Sequence, residues 1–383
     1  MRIGLIAPVW FAVPPDGYGG VERVVSLLAD GLVAAGHEVT LFASGDSKTE
    51  ATLEAVFPTA PSEWIGHTYW ELQHLLRAIS HSRDFDVVND HTGLLGLTLG
   101  GLCDAVPFVH TVHGPLDGRP GEVYEEVCDL VSGVGLISIS LSQRSPRPHL
   151  PWVANCHNAL DLTQHPFSPE QRRARRGDYL VFLGRMSPDK GACRAVTVAQ
   201  EAGVPLKIAA KCREPLERQY FEERIESHLS SSIEFLGEVG DDEKVELLQG
   251  ARALIFPIDW EEPFGLAMIE AMACGTPVIA TRRGSVPEVV EHGRSGIVVD
   301  RYEDMPAALE QADRLDPAEI RAVVEERFSP AHMVSDYVAA YEAVIADAVS
   351  TAAATVADKA RARRRTALAR RPAKPPARSP DRR

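Results

Sequence analysis

Apolar residues come in short blocks separated by polar or glycine-rich breaks. Arg2 to Pro8 is such a block. Val21, Val24, Val25, Leu28 and Leu32 then recur at the spacing of one helix face, and Glu38 to Ala43 is apolar again after the break Ala35-Gly36-His37. The succession predicts strand, helix, strand. Runs at Asp86–Val88, Val106–Val109 and Val134–Ile139 continue it. Blocks this short and this uniformly apolar suit a parallel sheet covered by helices on both faces.

Pro146, Pro148, Pro151, Pro166 and Pro169, followed by the charged stretch Gln171 to Asp178, read as a connector rather than another helix. A second series then begins at Tyr179. YLVFLG, PLKIAA, IEFLG, ALIFP, PVIAT and GIVV alternate with helical patterns such as Asp241–Gly250 and Gly265–Ala273. The pattern predicts an α/β protein of two Rossmann-like domains, residues 1–155 and 156–330, with ligands beyond the carboxyl ends of the strands. A helix over 331–349 closes the ordered part, and residues 350–383, rich in Ala, Arg and Pro, read as a disordered tail.

Composition narrows the picture. At 383 residues, 45% hydrophobic and 25% charged, the chain has ordinary globular usage and room for two cores. The net charge of −14 is uneven: the tail carries eleven Lys/Arg and two Asp, a local +9, so the body stands at −23. Such a body excludes nucleic acid as the expected partner, whereas the tail suits contact with an anionic membrane. The six cysteines are scattered without a C-x-x-C pair, as in a reducing compartment. The opening MRIGLIAPVW lacks the features of a secretory signal, and no apolar stretch approaches the ~20 residues of a membrane span. The expected location is the cytoplasm, with peripheral contact at the inner membrane face.

The most informative segment is WEEPFGLAMIEAMACGTPVIATRRGSVPEVV, from Trp260 to Val290. A strand ends in a loop with two carboxylates, and Pro263-Phe264-Gly265 opens a helix whose free N–H groups can hold an anion such as phosphate. Glu262 precedes the helix and Glu270 lies within it. One carboxylate can face a group attached to the phosphate while the other reaches a ribose diol, which fits a sugar nucleotide. The plainer alternative is a helix-start charge and a solvated helix residue. In the second segment, Gly184-Arg185 at a strand end with Lys190 five residues on puts two fixed positive charges over one pocket, suited to a leaving diphosphate.

These segments resemble those of the family 4 retaining glycosyltransferases of GT-B fold. The family's E-x7-E element stands as Glu262-PFGLAMI-Glu270, followed by EAMACGTP, and its G-R-x-x-x-x-K-G element as Gly184 to Gly191. The resemblance covers residues 1 to 349 and is stronger in the second half. It implies that amides near Phe264, Gly265 and Leu266 hold the donor phosphate, that Arg185 and Lys190 bind the diphosphate, that Glu262 contacts the donor sugar, and that Glu270 binds the nucleotide ribose. It places the loop Gly17 to Gly20 beside donor and acceptor, with Gly19 and Gly20 lining the site and Glu22 reaching the acceptor. His113 matches a histidine that related enzymes hold near the donor sugar, whereas His110 lies on the opposite parity of its strand.

The resemblance implies retaining transfer of a sugar from a nucleoside-diphosphate sugar to a hydroxyl acceptor, with Glu262, His113, Arg185 and Lys190 catalytic, no metal and no cofactor besides the co-substrate. Asp84-Phe85-Asp86 reads as a strand start rather than a metal-binding D-x-D. Asn158-Ala159-Leu160-Asp161 departs from the family's Asn-Gly-x-Asp, which questions the local turn because Ala resists positive φ. Alternatives are a nucleotide-sugar epimerase or hydrolase of the same fold, and a non-catalytic nucleotide-sugar-binding protein.

Overall fold

The computed structural model describes residues 1–17, 19–103 and 106–369, those from 351 onward by their backbone. Among them, thirteen strands form two sheets. The first sheet contains β1 (Arg2–Ile6), β2 (Glu38–Phe42), β3 (Thr52–Glu54), β4 (Val87–Asp90), β5 (Phe108–Val112), β6 (Val134–Ser138) and β7 (Trp152–Asn155). The second contains β8 (Leu180–Arg185), β9 (Leu206–Lys211), β10 (Ile233–Gly237), β11 (Ala253–Phe256), β12 (Val278–Thr281) and β13 (Gly296–Val299). Their orders are β3-β2-β1-β4-β5-β6-β7 and β10-β9-β8-β11-β12-β13, and every pairing is parallel.

The apolar blocks explain this layering. β4, β5, β11 and β12 are buried at every position, because helices cover both faces and leave no polar side. The helix Gly20–Ala34 turns Val24, Val25, Leu28 and Leu32 onto the first sheet. Both sheets reverse their winding beside their first strands, at β1/β4 and β8/β11. Connections leave to opposite faces there, which opens a crevice at the strands' carboxyl ends.

Four elements differ from the sequence reading. The proline-rich connector contains β7, an edge strand that tolerates Pro151 at its start, and the helix Pro169–Arg175. Pro169 opens that helix rather than breaking it, because the first helical position has no N–H to satisfy, and Ser168 accepts from Gln171 N–H as its cap. The short edge strand β3, with only partly buried residues, left no apolar run to read. The closing helix runs over Pro330–Ala369 rather than ending near Val349. Met333, Val334, Tyr337, Ala340 and Tyr341 bury one stripe of it in the first sheet's core. Beyond them the chain keeps helical geometry to Ala369 because 351–369 is Ala- and Arg-rich without Gly or Pro. The rest of the expected tail, 370–383, lies outside the described residues. No helix among the described residues is long and apolar enough to cross a membrane.

Candidate active site

The loops at the two reversal points face each other across a cavity of about 670 Å³. The first sheet's side contributes Gly19 from the loop after β1, Gly20 and Glu22 from the first turn of the helix Gly20–Ala34, and His113 after β5; the second contributes Arg185 at the end of β8 and Lys190 after it. The loop after β11 supplies Glu262, Phe264 and Gly265, and Leu266 and Glu270 follow on the next helix. All the residues singled out by sequence for donor and acceptor contacts therefore line one cleft. The helices Gly20–Ala34 and Leu266–Ala273 both begin there, and a Cβ on Gly20 would lie 3.1 Å from Leu266 Cδ1. Gly265 takes φ 81° to cap the second helix, and a Cβ there would meet Met268 Cε at 2.6 Å. Only glycine lets the chain turn this sharply and leave the helix's first amides facing the cleft.

The charges on the second-sheet side come in pairs. Lys190 Nζ donates to Glu262 Oε2 at 2.5 Å and sits 4.4 Å from the centroid of the Trp260 ring. Lys244 Nζ donates to Glu270 Oε1 at 2.6 Å and also reaches Asp241 at 3.3 Å. Burial alone would lower the Lys244 pKa, but Glu270 and Asp241 raise it above the ordinary lysine value. Arg185 is looser, 3.5 Å from Asp189 and 40% exposed. Across the cleft, Arg23 donates to Asp241 at 2.9 Å and to the Gly17 carbonyl. Each carboxylate of the E-x7-E element is thus held by its own lysine.

On the first-sheet side, His113 ends a buried chain of hydrogen bonds. Asn89 donates its amide N–H groups to Thr111 Oγ1 and backbone carbonyls. Its Oδ1 therefore accepts, from Tyr341 O–H at 2.7 Å and His91 Nε2 at 2.9 Å. An amide oxygen cannot donate, so His91 carries its proton on Nε2. Burial, reinforced by the neighbouring histidines, keeps His91 well below the usual imidazole range and pushes His113 down to about 3. Neutral His91 then offers a bare Nδ1, which accepts from His113 Nε2 at 3.0 Å. His113 is left with an unprotonated Nδ1, a hydrogen-bond acceptor in the cleft wall.

His110 does not line the cleft; it is fully buried, with Nδ1 2.5 Å from Asp90 and Nε2 3.1 Å from Tyr124. Asp86 ties the start of β1 through Arg2 at 2.8 Å, and Asp84 faces His81, so the D-x-D is used structurally. Ala159 is buried, and no non-glycine residue among those described has positive φ. The turn at Asn158-Ala159 needs no glycine.

Glu22 is 5% exposed, and burial pushes its carboxyl up to about 7 from the ordinary 4.5. The folded protein thus holds a proton that the unfolded chain releases between those values, and stability falls as pH rises through that window. Glu22→Gln is expected to stabilise the protein by on the order of 3 kcal/mol at pH 8 and by almost nothing at pH 4. Urea midpoints at the two pH values check this, and an equal gain at both would contradict it.

Comparison with known proteins agrees with this geometry. Residues 165–321 match the family model "Glycosyl transferases group 1", and residues 18–126 match "Glycosyltransferase Family 4". Over 348 residues the chain is 30% identical to the MMP alpha-(1->4)-mannosyltransferase of Mycolicibacterium hassiacum, covering 78% of this chain and 80% of that one. The chain belongs to the family 4 glycosyltransferases of GT-B fold. It is also 27% identical to the glycogen synthase of Mycobacterium tuberculosis, over 78% of this chain and 82% of the relative. The crystal structure of AviGT4, a glycosyltransferase involved in avilamycin A biosynthesis, matches with a TM-score of 0.66 at 27% identity, over 90% of this chain and 98% of that one.

Sequence reasoning missed several members of this family 4 site. Lys244 and Asp241 sit in the helix Asp241–Gly250, where they read as surface charges. Glu71 lines the cleft from the helix Thr68–Ser80, which no nominated motif contains. His91 follows β4 at the reversal point. A polar Asn-Asp-His run at the end of a short apolar strand was the available signal for it.

Proposed function

We propose that this glycosyltransferase moves a hexose from a nucleoside-diphosphate sugar to a hydroxyl with retention at the anomeric carbon, and that it does so without a metal ion. The observation that carries the reading is the convergence of Arg185, Lys190 and the start of the helix Leu266–Ala273 on one cleft with Glu262 and Glu270. Two fixed cations and a helix start can neutralise a diphosphate, the task a metal performs elsewhere.

Donor entry divides the resting pairs. The diphosphate competes with Glu262 for Lys190, and the released carboxylate accepts hydrogen bonds from the sugar's hydroxyls. Glu270 accepts from the ribose diol while Lys244 keeps it oriented. His113, bare at Nδ1, accepts from a sugar hydroxyl. As the bond from anomeric carbon to phosphate oxygen breaks, Arg185 and Lys190 stabilise the charge left on the nucleoside diphosphate. The acceptor hydroxyl attacks from the same face, and its proton passes to the departing phosphate oxygen. Glu262 holds the sugar while the anomeric carbon gains oxocarbenium character; it forms no bond to carbon.

Thermal stabilisation by a panel of nucleotide sugars identifies the donor, since binding raises the melting point by mass action. Turnover of that donor with and without acceptor separates transfer from hydrolysis, epimerisation and silent binding. Activity is expected to persist in excess EDTA; complete loss restored by magnesium or manganese would overturn the metal-free reading.

A further inference from the structure

The half of the cleft facing the donor has a chemistry of its own. Its wall carries Trp10 and Phe11 from the loop after β1, and Ile65. Ile65 is 56% exposed, its chain neighbour Trp64 is 42% exposed, and Tyr69 stands 79% exposed at the start of the helix that supplies Glu71. Trp10, Phe11 and Ile65, none of them fully buried, give the cleft wall an apolar platform for a ligand with an apolar side.

The polar groups there are acidic. Glu22, Glu71 and Asp16 line this half. Glu22 is almost wholly buried, and its carboxylate has no hydrogen bond to another described side chain. Burial, with Asp90 nearby, raises the Glu71 pKa as well. Among the described residues of the first sheet's side that line the cleft, Arg23 is the sole cation, and Asp241 and the Gly17 carbonyl hold it. His113 stays neutral. The other cations lining the cleft belong to the donor half, where the diphosphate engages Arg185 and Lys190.

We propose that the acceptor is an uncharged saccharide whose ring face lies against Trp10 and Phe11 and whose hydroxyls donate to Glu22 and Glu71. This rests on the glycosyl-transfer reading above. A pyranose has an apolar C–H face that covers an aromatic ring and a rim of vicinal hydroxyls that fits the two oxygens of a carboxylate. A phosphorylated or carboxylated acceptor would set its charge beside these carboxylates without a cation to meet it. An anionic lipid surface fits poorly, because the segment Trp64–Ser80 offers a single Arg or Lys, Arg77, already paired with Glu54.

The test uses the full chain with saturating donor and follows nucleoside-diphosphate release above the acceptor-free rate. The probes are methyl α-glucopyranoside, methyl α-mannopyranoside and maltotriose, set against glucose 6-phosphate, mannose 6-phosphate and glucuronic acid. Neutral sugars are expected to accelerate release with kcat/KM roughly tenfold or more above their anionic counterparts. Glu71→Lys is expected to compress or invert that ratio, and Glu71→Gln to shift it partway; the ratio is read within each variant, so differences in the amount of folded protein cancel. Equal or better use of the anionic sugars, or a ratio unmoved in both variants, overturns the proposal. So does failure of every neutral sugar while the donor is still bound and slowly hydrolysed, an outcome that leaves the transferase reading standing. Loss of donor binding and hydrolysis together in the wild-type protein overturns both.

Discussion

Lys190→Met is expected to reduce kcat/KM by about a thousandfold, from a lost charge-assisted contact of about 1.5–3 kcal/mol and a new repulsion. In the resting protein Lys190 neutralises Glu262, which is only 6% exposed. Without the lysine, that carboxylate faces the incoming diphosphate uncompensated. Arg185→Ala removes one cation from a site where the side chain is 40% exposed, and the carboxylate it leaves without a partner, Asp189, is open to water rather than buried. Its effect should be smaller, about ten- to a hundredfold. Lys190→Met also breaks a buried ion pair from one side, which costs about 3–5 kcal/mol of stability, so denaturant titration must accompany the kinetics. The double variant Lys190→Met/Glu262→Gln should recover much of that stability and none of the activity. A kcat/KM within tenfold of wild type for a folded Lys190→Met protein would remove Lys190 from the phosphate site.

The second large effect separates the two glutamates. Glu262→Ala is expected to lower kcat by about a hundredfold or more, because the sugar loses the contact that aligns its anomeric carbon in the transition state. Glu270→Ala should instead raise the donor KM about ten- to a hundredfold with little change in kcat, since a ribose contact acts on ground and transition states alike. The resting pairs add a structural contrast. Glu270→Ala leaves Lys244 with Asp241 at 3.3 Å, whereas Glu262→Ala leaves Lys190 with its cation–π contact to Trp260 alone. Residual product from either variant should retain the donor's anomeric configuration, read by proton couplings. Azide rescue of Glu262→Ala with an inverted product would make Glu262 a nucleophile and overturn the same-face mechanism.

Much of the fold was legible because a parallel sheet buried on both faces writes itself as short apolar runs. All eleven strand-like runs found by pattern correspond to strands of the two sheets. Those without such a run, β3 and β7, are edge strands at the rim of the first sheet, where half the pairing and much of the burial is missing. The residues nominated for the site were legible for a related reason: Arg185 ends a strand and Gly265, Glu262 and Lys190 lie in loops that directly follow strands, so their relation to a strand end is local in sequence.

The partners of those residues were not local. Lys190 meets Glu262 across 72 positions and Arg23 meets Asp241 across 218, and the acceptor state of His113 depends on His91, Asn89 and a tyrosine of the closing helix. Sequence by itself determined the βα units, and with them which residues stand at strand ends, because those follow from burial period and turn chemistry over a few residues. Tertiary structure alone decided which strand ends face one another. That choice rests on where the two sheets reverse their winding and on the closing helix packing against the first of them, and it sets which charges neutralise each other before a donor arrives.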